Sequence, residues 1–231
     1  MHRFLAAEII GKNIILDQEE SKHLSKVLRL KTDDKVEVTD GLGKLFQCIV
    51  IDTNPKAATL EVLYTLEDKK EDFLVEIAAV PTKNINRWEW FLEKSTEIGI
   101  NAIHPLKSER AIRKVLKHDR QIKILKGAMK QSYKLQLPAL NELQEFRDFI
   151  KKDFEGKKYI AHCYPTEKAP LNQHPKGEKA LILIGPEGDF SEEEIELAQK
   201  NGFKPVSLGK SRLRTETAAI VACHTINLIN A

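Results

Sequence analysis

Residues 180–190 read Ala-Leu-Ile-Leu-Ile-Gly-Pro-Glu-Gly-Asp-Phe, an apolar run that stops at a glycine. The unbroken apolar run Ala180–Ile184 predicts a strand buried on both faces, because it shows no alternation of polar and apolar residues. Ser191-Glu192-Glu193-Glu194 follows at once and predicts a capping box, in which Ser191 and Glu194 cap each other's backbone N–H groups. A buried strand that turns through glycines into a helix is typical of a parallel α/β sheet.

The same alternation of strands and helices continues from residue 73 to residue 230. Apolar runs predict the strands, and helical spacing with stop signals such as Gly99 predicts the helices. The predicted strands are residues 73–80, 102–106, 159–164, 180–184 and 205–208, and the predicted helices are residues 85–98, 113–134, 191–201 and 215–230. We therefore predict an α/β fold with a parallel sheet for the larger part of the chain.

The first seventy residues follow another pattern, in which short apolar segments alternate with turn signals such as Asp40-Gly41. They predict strands at residues 13–16, 35–39, 45–51 and 58–63. One helix is predicted at residues 19–30, with Leu24, Val27 and Leu28 on one side. Residues 67–72 are all charged, which predicts a linker, so we divide the chain into domains at residues 1–70 and 71–231.

The composition excludes several classes of protein. The 231 residues are 42% hydrophobic and 31% charged, which argues against a disordered chain. No apolar run approaches the ~20 residues that span a bilayer, and Glu8 interrupts the N-terminus before a signal-peptide core can form, so we expect a cytoplasmic protein. Cys48, Cys163 and Cys223 are isolated, so we expect reduced thiols and no protein-bound metal.

The basic residues are concentrated in one segment. The chain has 37 Lys and Arg against 34 Asp and Glu, a net charge of +3. Residues 107–134 alone hold ten basic and two acidic side chains, a net of +8, whereas residues 1–70 hold eleven and twelve, a net of −1. The segment is either a solvated helix face or a surface for a polyanion, and we favour the polyanion because neutralising phosphates releases counterions.

A second strand-to-helix turn lies at residues 208–218, Leu-Gly-Lys-Ser-Arg-Leu-Arg-Thr-Glu-Thr-Ala. Thr215 is the expected N-cap of the last helix. Arg214 breaks a local rule, because a cation beside the positive end of a helix dipole costs stability. Arg212 and Arg214 therefore suit an anionic substrate. Ligands of open parallel sheets bind beyond the carboxyl ends of the strands, where both turns are expected.

Motifs along nearly the whole chain are similar to those of one known family. They are His23-Leu24, Val27-Leu28-Arg29, Ala79-Val80-Pro81, Arg87-Trp88-Glu89-Trp90, Lys94-Ser95-Thr96-Glu97-Ile98-Gly99, Ser108-Glu109-Arg110, Ile184-Gly185-Pro186-Glu187-Gly188, Leu208-Gly209 and Leu213-Arg214-Thr215-Glu216-Thr217-Ala218. The chain resembles the ribosomal RNA small subunit methyltransferase E family, whose members methylate N3 of a uridine in small-subunit ribosomal RNA.

The resemblance implies a PUA-like RNA-binding β-barrel at residues 1–70 and a SPOUT methyltransferase domain with a trefoil knot at residues 71–231. It also implies a homodimer that uses S-adenosylmethionine as methyl donor and acts on small-subunit ribosomal RNA, either free or in an assembled subunit. The donor-binding residues that it implies are His162, Pro165, Leu183, Ile184, Gly185, Glu187, Gly188, Leu208, Gly209, Leu213, Arg214, Thr217 and Ala218. For His162 a packed histidine at a strand end is an equal alternative.

The catalytic residues implied by the resemblance are Arg214 and Glu216. Arg214 would support the negative charge that develops on the uracil. Glu216 would either orient Arg214 or act only as a first-turn acid favoured by the helix dipole. The implied RNA contacts are Arg3, His23, Lys26, Arg29, Arg110 and Lys134. Helical i+3 spacing can bring His23, Lys26 and Arg29 to one face of the predicted helix, although for His23 a packed position is the alternative.

The chain departs from the family pattern at three places. Asp189 stands in place of a further glycine, and Asp tolerates left-handed backbone better than most residues. Lys134 replaces an arginine and loses its bidentate fork. Lys210-Ser211-Arg212 replaces Pro-Arg-Ile. Two other functions stay open: methylation of another RNA or base atom, and a non-catalytic RNA-binding factor of ribosome assembly, which leaves both glycine turns without a role.

Overall fold

The computed structural model describes residues 2–67 and 73–231. The chain divides into two compact units, one made of residues 1–70 and 129–137 and the other of residues 71–128 and 138–231. The linker predicted at residues 67–72 lies, apart from Glu67, outside the described residues, so the boundary after residue 70 stays a prediction. No local pattern in the sequence indicated that residues 129–137 belong with the first unit.

The first unit contains a six-stranded sheet. Its strands are β1 (Arg3–Leu5), β2 (Glu8–Ile10), β3 (Asn13–Ile15), β4 (Lys35–Thr39), β5 (Lys44–Asp52) and β6 (Thr59–Glu67). They are ordered β1-β4-β5-β6-β3-β2, with β1 parallel to β4 and the other pairs antiparallel. Burial alternates along β5, so Phe46, Cys48 and Val50 face a core that also holds Phe4 and Leu24. The four predicted strands are confirmed, three of them with shifted ends, whereas β1 and β2 were not predicted.

The helix predicted at residues 19–30 is wrong in its second half. Helix α1 covers only Gln18–Lys22 and continues as a π-helical segment, His23–Val27. The chain then passes through Arg29 with φ at 54°. The wider π turn shifts the side chains away from α-helical spacing, so Leu24 is buried while Val27 is 66% exposed. Of the predicted apolar side, Leu24 is buried and Leu28 packs against the same core, whereas Val27 faces solvent.

The remaining elements follow residue 73. They are β7 (Val75–Ala79), α2 (Ile85–Ile98), β8 (Ala102–Lys107), α3 (His118–Gln131), β9 (Ala139–Leu140), β10 (Gln144–Glu145), α4 (Phe146–Phe149), β11 (Lys157–Ala161), β12 (Ala169–Pro170), β13 (Ala180–Ile184), α5 (Glu192–Lys200), β14 (Lys204–Ser207) and α6 (Thr215–Asn230). Every strand-helix alternation expected from the apolar pattern is present, with ends shifted by a few residues.

These strands form an eight-stranded parallel sheet in the order β10-β8-β7-β13-β11-β14-β12, with β9 beside β8. The predicted α/β fold with a parallel sheet is confirmed. Strand β13 is buried at all five positions because β7 and β11 flank it and both faces of the sheet are covered. Strands β11, β13 and β14 run in one direction, so their carboxyl ends lie at the same edge of the sheet.

Helix α3 begins five residues later than the sequence predicted, at His118 instead of Arg113. The reason is tertiary: the Arg113 guanidinium donates to the backbone oxygens of Thr82 at 3.1 Å and Lys83 at 2.7 Å. These hydrogen bonds hold the segment that precedes α3 against the residues that follow β7, and this segment is not helical. Asp119 then supplies the acid that a first helical turn favours.

Two predicted helix signals are confirmed. Helix α2 ends at Gly99, which adopts the left-handed conformation at φ 119°. Helix α5 begins with the predicted capping box, in which the Glu194 N–H donates to Ser191 Oγ at 3.3 Å and the Ser191 N–H donates to Glu194 Oε2 at 3.0 Å. Within the part of the chain that the structure describes, no helix has the length and apolar content needed to cross a membrane.

Candidate functional site

A cavity of about 720 Å³ lies at the carboxyl ends of β11, β13 and β14. Residues that follow each of these strands form its walls, at positions 162–168, 185–189 and 208–214. Because the order of the sheet makes the strands neighbours, segments that lie well apart in the chain meet there. The cavity occupies the edge where the sequence predicted a ligand site.

Nine predicted donor-binding residues line this cavity: His162, Ile184, Gly185, Glu187, Leu208, Gly209, Leu213, Arg214 and Ala218. Four others, Pro165, Leu183, Gly188 and Thr217, do not line it. Successive side chains of a strand point to opposite faces. Leu183 therefore packs in the core with Phe190, while Ile184 reaches the cavity.

The turn after β13 leaves little room for a side chain at its first position. A Cβ on Gly185 would lie 3.1 Å from the backbone nitrogen of Phe190 and 3.3 Å from Asp189 Oδ1, closer than a side chain is normally accommodated. The Asp189 N–H donates to the carbonyl oxygen of Pro186 at 2.9 Å and closes the turn. Gly185 thus lets the backbone fold tightly at the cavity wall.

Asp189 joins two walls of the cavity. It adopts the left-handed conformation at φ 62°, which Asp tolerates. Its Oδ2 accepts the N–H of Cys163 at 2.7 Å, across from the neighbouring strand end, and its Oδ1 accepts the N–H of Phe190 at 2.8 Å. Where the family pattern has a glycine, this chain therefore has a carboxylate that ties the segment after β11 to the turn after β13.

His162 presents unpaired polar atoms at the cavity. The residue is 8% exposed, and neither ring nitrogen has a hydrogen-bond partner within the described residues. Burial lowers the pKa of His162 below the ordinary 6.5; nearby Lys168 lowers it further, and Asp189 opposes them. The ring is therefore neutral at neutral pH and offers one donor and one acceptor. Buried polar atoms of this kind are normally satisfied by a ligand or water.

Lys168 fixes the backbone that carries His162. Its ammonium donates to the carbonyl oxygens of His162 at 2.9 Å and Tyr164 at 2.6 Å. Lys168 belongs to the wall residues that sequence reasoning missed, together with Ala161, Cys163, Pro186, Asp189, Val206, Ser207, Lys210, Ser211 and Thr215. The position of Lys168, several residues after β11, has no local signal in the sequence.

The start of α6 differs from the sequence prediction. The N-cap is Arg214 and not Thr215, and the Arg214 side chain makes no capping hydrogen bond. Thr215 instead donates its hydroxyl to the carbonyl oxygen of Gly185 at 3.0 Å. This contact binds the first turn of the helix to the turn after β13, a use of the threonine that only the neighbouring strand explains.

The guanidinium of Arg214 is exposed at the cavity. No hydrogen bond or ion pair is recorded for it among the described residues. Glu216 does not orient it, which corrects that alternative from the sequence: the Glu216 carboxylate is buried and faces the Nε of Arg87 at 3.7 Å. Glu216 is a first-turn acid of α6 that pairs with a cation from α2.

Two rim contacts extend the site. Glu187 Oε1 accepts the N–H of Lys83 at 2.9 Å. The exposed Arg110 donates to the carbonyl oxygen of Gly188 at 2.8 Å and to the hydroxyl of Tyr164 at 3.4 Å. The hydrogen bond with Tyr164 is the main cause that raises the pKa of Arg110. Through these hydrogen bonds Arg110, a predicted RNA contact, also joins the turn after β13 to the segment after β11.

The predicted RNA contacts of the first unit have unequal surroundings. The side chain of Arg3 is only 8% exposed, and its Nε and Nη2 donate to Glu37 Oε2 at 3.1 Å and 2.7 Å. These contacts give Arg3 a structural role in the first unit, and its contact with RNA stays a prediction. His23, Lys26 and Arg29 are exposed, and the His23 ring lies 6.1 Å from that of Phe4.

Lys134, the remaining predicted RNA contact, is half-buried in the segment that follows α3. Among the described residues, no group of three or more His, Cys, Asp or Glu side chains is arranged to hold a metal ion.

Comparison with known proteins identifies relatives over the whole length. A model described as an RNA methyltransferase domain matches residues 69–227, and one described as an RNA methyltransferase PUA domain matches residues 16–63. The chain is similar to the Ribosomal RNA small subunit methyltransferase E of Synechocystis sp., with 30% identity over 229 residues, covering 96% of this chain and 75% of that protein.

Solved structures of other proteins are similar to this chain over its whole length. A probable rRNA-methyltransferase from Porphyromonas gingivalis superposes with a TM-score of 0.91 at 35% identity and covers 99% of both chains. A Ribosomal RNA small subunit methyltransferase E from Neisseria gonorrhoeae, bound to S-adenosyl methionine, superposes with a TM-score of 0.89 at 28% identity, covering 100% of this chain and 98% of that one.

Proposed function

The chain belongs to the ribosomal RNA small subunit methyltransferase E family, and we propose that it transfers a methyl group from S-adenosylmethionine to N3 of a uridine in small-subunit ribosomal RNA. The observation that carries the proposal is the cavity where the ends of three parallel strands meet, lined by both glycine turns and by the unpaired ring of His162. A purely RNA-binding factor would have no use for it.

The cavity suits a small molecule with polar and apolar parts. Its volume of about 720 Å³ lies within the usual range of ligand pockets. Ile184, Leu208 and Leu213 supply apolar contacts, while His162 supplies one hydrogen-bond donor and one acceptor. When bound, S-adenosylmethionine supplies an electrophilic methyl group on a sulfonium.

Some residues around the cavity position its walls, and Arg214 activates the substrate. Asp189 and Lys168 keep two walls in fixed positions through backbone hydrogen bonds. Uracil N3 carries a proton at neutral pH and must release it to water as the N3–CH3 bond forms and the S–CH3 bond of the donor breaks, which leaves S-adenosylhomocysteine. The base therefore reacts best as its anion. The exposed Arg214 guanidinium stabilises that anion, as a preorganised cation stabilises charge that develops in a transition state.

The proposal includes three properties that the family resemblance implies: a trefoil knot in the second domain, a homodimer and a cytoplasmic location. The dimer is tested by light scattering coupled to size-exclusion chromatography, in which a single chain of 26.3 kDa is the alternative. A monomer that methylates RNA at full rate would remove the dimer from the proposal and leave the reaction in place.

Two measurements test the reaction. Isothermal titration calorimetry with S-adenosylmethionine is expected to show one site per chain, and an absence of binding at micromolar donor would overturn the enzyme function. Nucleoside mass spectrometry of small-subunit ribosomal RNA, incubated with enzyme and donor, is expected to yield 3-methyluridine. A different methylated nucleoside would favour methylation of another base atom.

A further inference from the structure

An aromatic residue occupies an unfavourable backbone position at the end of α3. The Lys134 N–H donates to the carbonyl oxygen of Met129 at 3.0 Å, and the Tyr133 N–H donates to that of Lys130 at 3.2 Å. This pattern is a Schellman motif, whose left-handed position is usually glycine. Here Tyr133 takes it with φ at 57°. A bulky residue in this conformation is strained, and such strain persists where the side chain serves a purpose.

The tyrosine ring is held from one side. The Arg3 guanidinium lies 4.8 Å from the centre of the Tyr133 ring, and Arg3 Nη1 donates to the Tyr133 carbonyl oxygen at 2.6 Å. Arg3 is itself fixed by Glu37, whose second carboxylate oxygen accepts the Gln47 side-chain N–H at 3.0 Å. The ring is therefore preorganised by a chain of three contacts within the first unit.

The rest of the ring faces solvent. Tyr133 is 61% exposed although its backbone and one face are anchored. Next to its segment, Leu42 forms an isolated antiparallel bridge with Gln136 and is 82% exposed. The Leu137 N–H donates to the carbonyl oxygen of Gly41 at 2.8 Å, which fixes the two segments side by side. An apolar aromatic surface is thus presented rigidly to solvent.

The chemistry of this surface fits a nucleobase. Single-stranded nucleic acid is bound by aromatic side chains on which bases stack, combined with positive charge along the backbone. Tyr133 lies in the sequence between Lys130 and Lys134, two basic residues of the same unit. We propose that Tyr133 is a stacking platform for an unpaired base of the RNA substrate, with Arg3 and Glu37 as positioning residues. The inference rests on the proposed function for the identity of the RNA.

The test compares two substitutions of the same residue. Tyr133→Gly removes the ring and at the same time relieves the left-handed strain, so it is expected to fold with an unchanged melting temperature. Tyr133→Phe keeps the ring and is the matched control. The probes are a short unstructured fluorescein-labelled RNA and a duplex of the same sequence, measured by fluorescence anisotropy.

Tyr133→Gly is expected to bind the single-stranded probe about tenfold more weakly than the wild type, while Tyr133→Phe binds it within about twofold. Duplex binding is expected to be equal for all three proteins, because paired bases are not available for stacking. Equal single-strand affinity of Tyr133→Gly would overturn the inference. So would an equal loss on both probes, a loss in Tyr133→Phe, or a change in oligomeric state, which would mark Tyr133 as a protein contact.

Failure here is distinguishable from failure of the proposed function. Donor binding and 3-methyluridine formation by the wild-type enzyme test the reaction and do not depend on Tyr133. If the wild type methylates RNA but Tyr133→Gly binds the single strand normally, only the stacking inference is lost. If the wild type binds no donor while the stacking effect is present, only the reaction is lost.

Discussion

Arg214 stands at the N-cap of α6, and its guanidinium, a cation at the positive end of a helix, has no partner among the described residues. If it stabilises an anionic uracil, removing it should affect turnover and spare donor binding. We expect Arg214→Ala to lower the single-turnover rate by about 100-fold or more. The donor dissociation constant, measured by calorimetry, should stay within about threefold. Lys200→Ala, an exposed change on α5, is the control. Turnover within a fewfold of wild type would contradict the assignment.

Asp189 offers a second prediction at the scale of one residue. Replacing it by glycine suits the φ of 62° but leaves the N–H groups of Cys163 and Phe190 without their acceptor. We expect Asp189→Gly to weaken donor binding about tenfold in calorimetry, since each such hydrogen bond contributes about 1 kcal/mol. Asp189→Asn keeps one amide oxygen and should recover part of the loss. Equal affinity in all three proteins would show that the tether is dispensable.

From the shifted pKa of His162 we predict that the free energy of unfolding depends on pH. The pKa of the folded-state ring is lowered from the ordinary 6.5, first by burial and then by Lys168. As the pH falls below the ordinary histidine pKa, the ring takes up a proton in the unfolded chain before it does so in the folded protein. The free energy of unfolding therefore decreases from that pH down to the lowered pKa of the folded state. We expect urea denaturation to show a steeper loss of unfolding free energy as the pH falls below about 6.5 for the wild type than for His162→Gln. Parallel curves would exclude this contribution.

At the scale of elements, the capping box of α5 does more than begin a helix. Besides capping Ser191, the buried Glu194 accepts the N–H of Glu109 through Oε1 at 2.8 Å and so fixes the segment after β8. We expect Glu194→Ala to lower the free energy of unfolding by about 2 kcal/mol, because two backbone donors lose their acceptor. Chemical denaturation measures it, with the exposed Glu192→Ala as control. A loss no larger than in the control would contradict this role.

Element ends show where sequence patterns stop being informative. The capping box and Gly99 were predictable because a cap depends on residues within one turn of each other. The start of α3 was not, because Arg113 is held by backbone oxygens beyond β7, some thirty residues earlier. The π-helical segment after α1 was missed for a related reason, since buried Leu24 packs in a core formed by strands that lie both before and after it in the chain.

At the scale of the whole molecule, the uneven charge predicts how RNA binding responds to salt. If the basic segment at residues 107–134 binds phosphates, the logarithm of the RNA affinity falls linearly with the logarithm of the salt concentration. The slope then increases by about 0.7 to 0.9 for each phosphate contact. We expect Lys114→Ala with Lys117→Ala, both exposed, to reduce the slope by about 1.5. Lys200→Ala should leave the slope as it is. An unchanged slope in the double variant would favour a merely solvated segment.

The sequence by itself determined the parallel α/β architecture, the strand-to-helix turns at residues 185–190 and 208–214 and the cap of α5. These follow from apolar periodicity and short-range hydrogen bonding, which nearby residues carry. Only the tertiary structure decided that Thr215 bonds Gly185 instead of capping α6, that Glu216 pairs with Arg87, and that residues 129–137 join the first unit. Each of these depends on segments far apart in the chain, which the order of the sheet and the packing of each unit bring together.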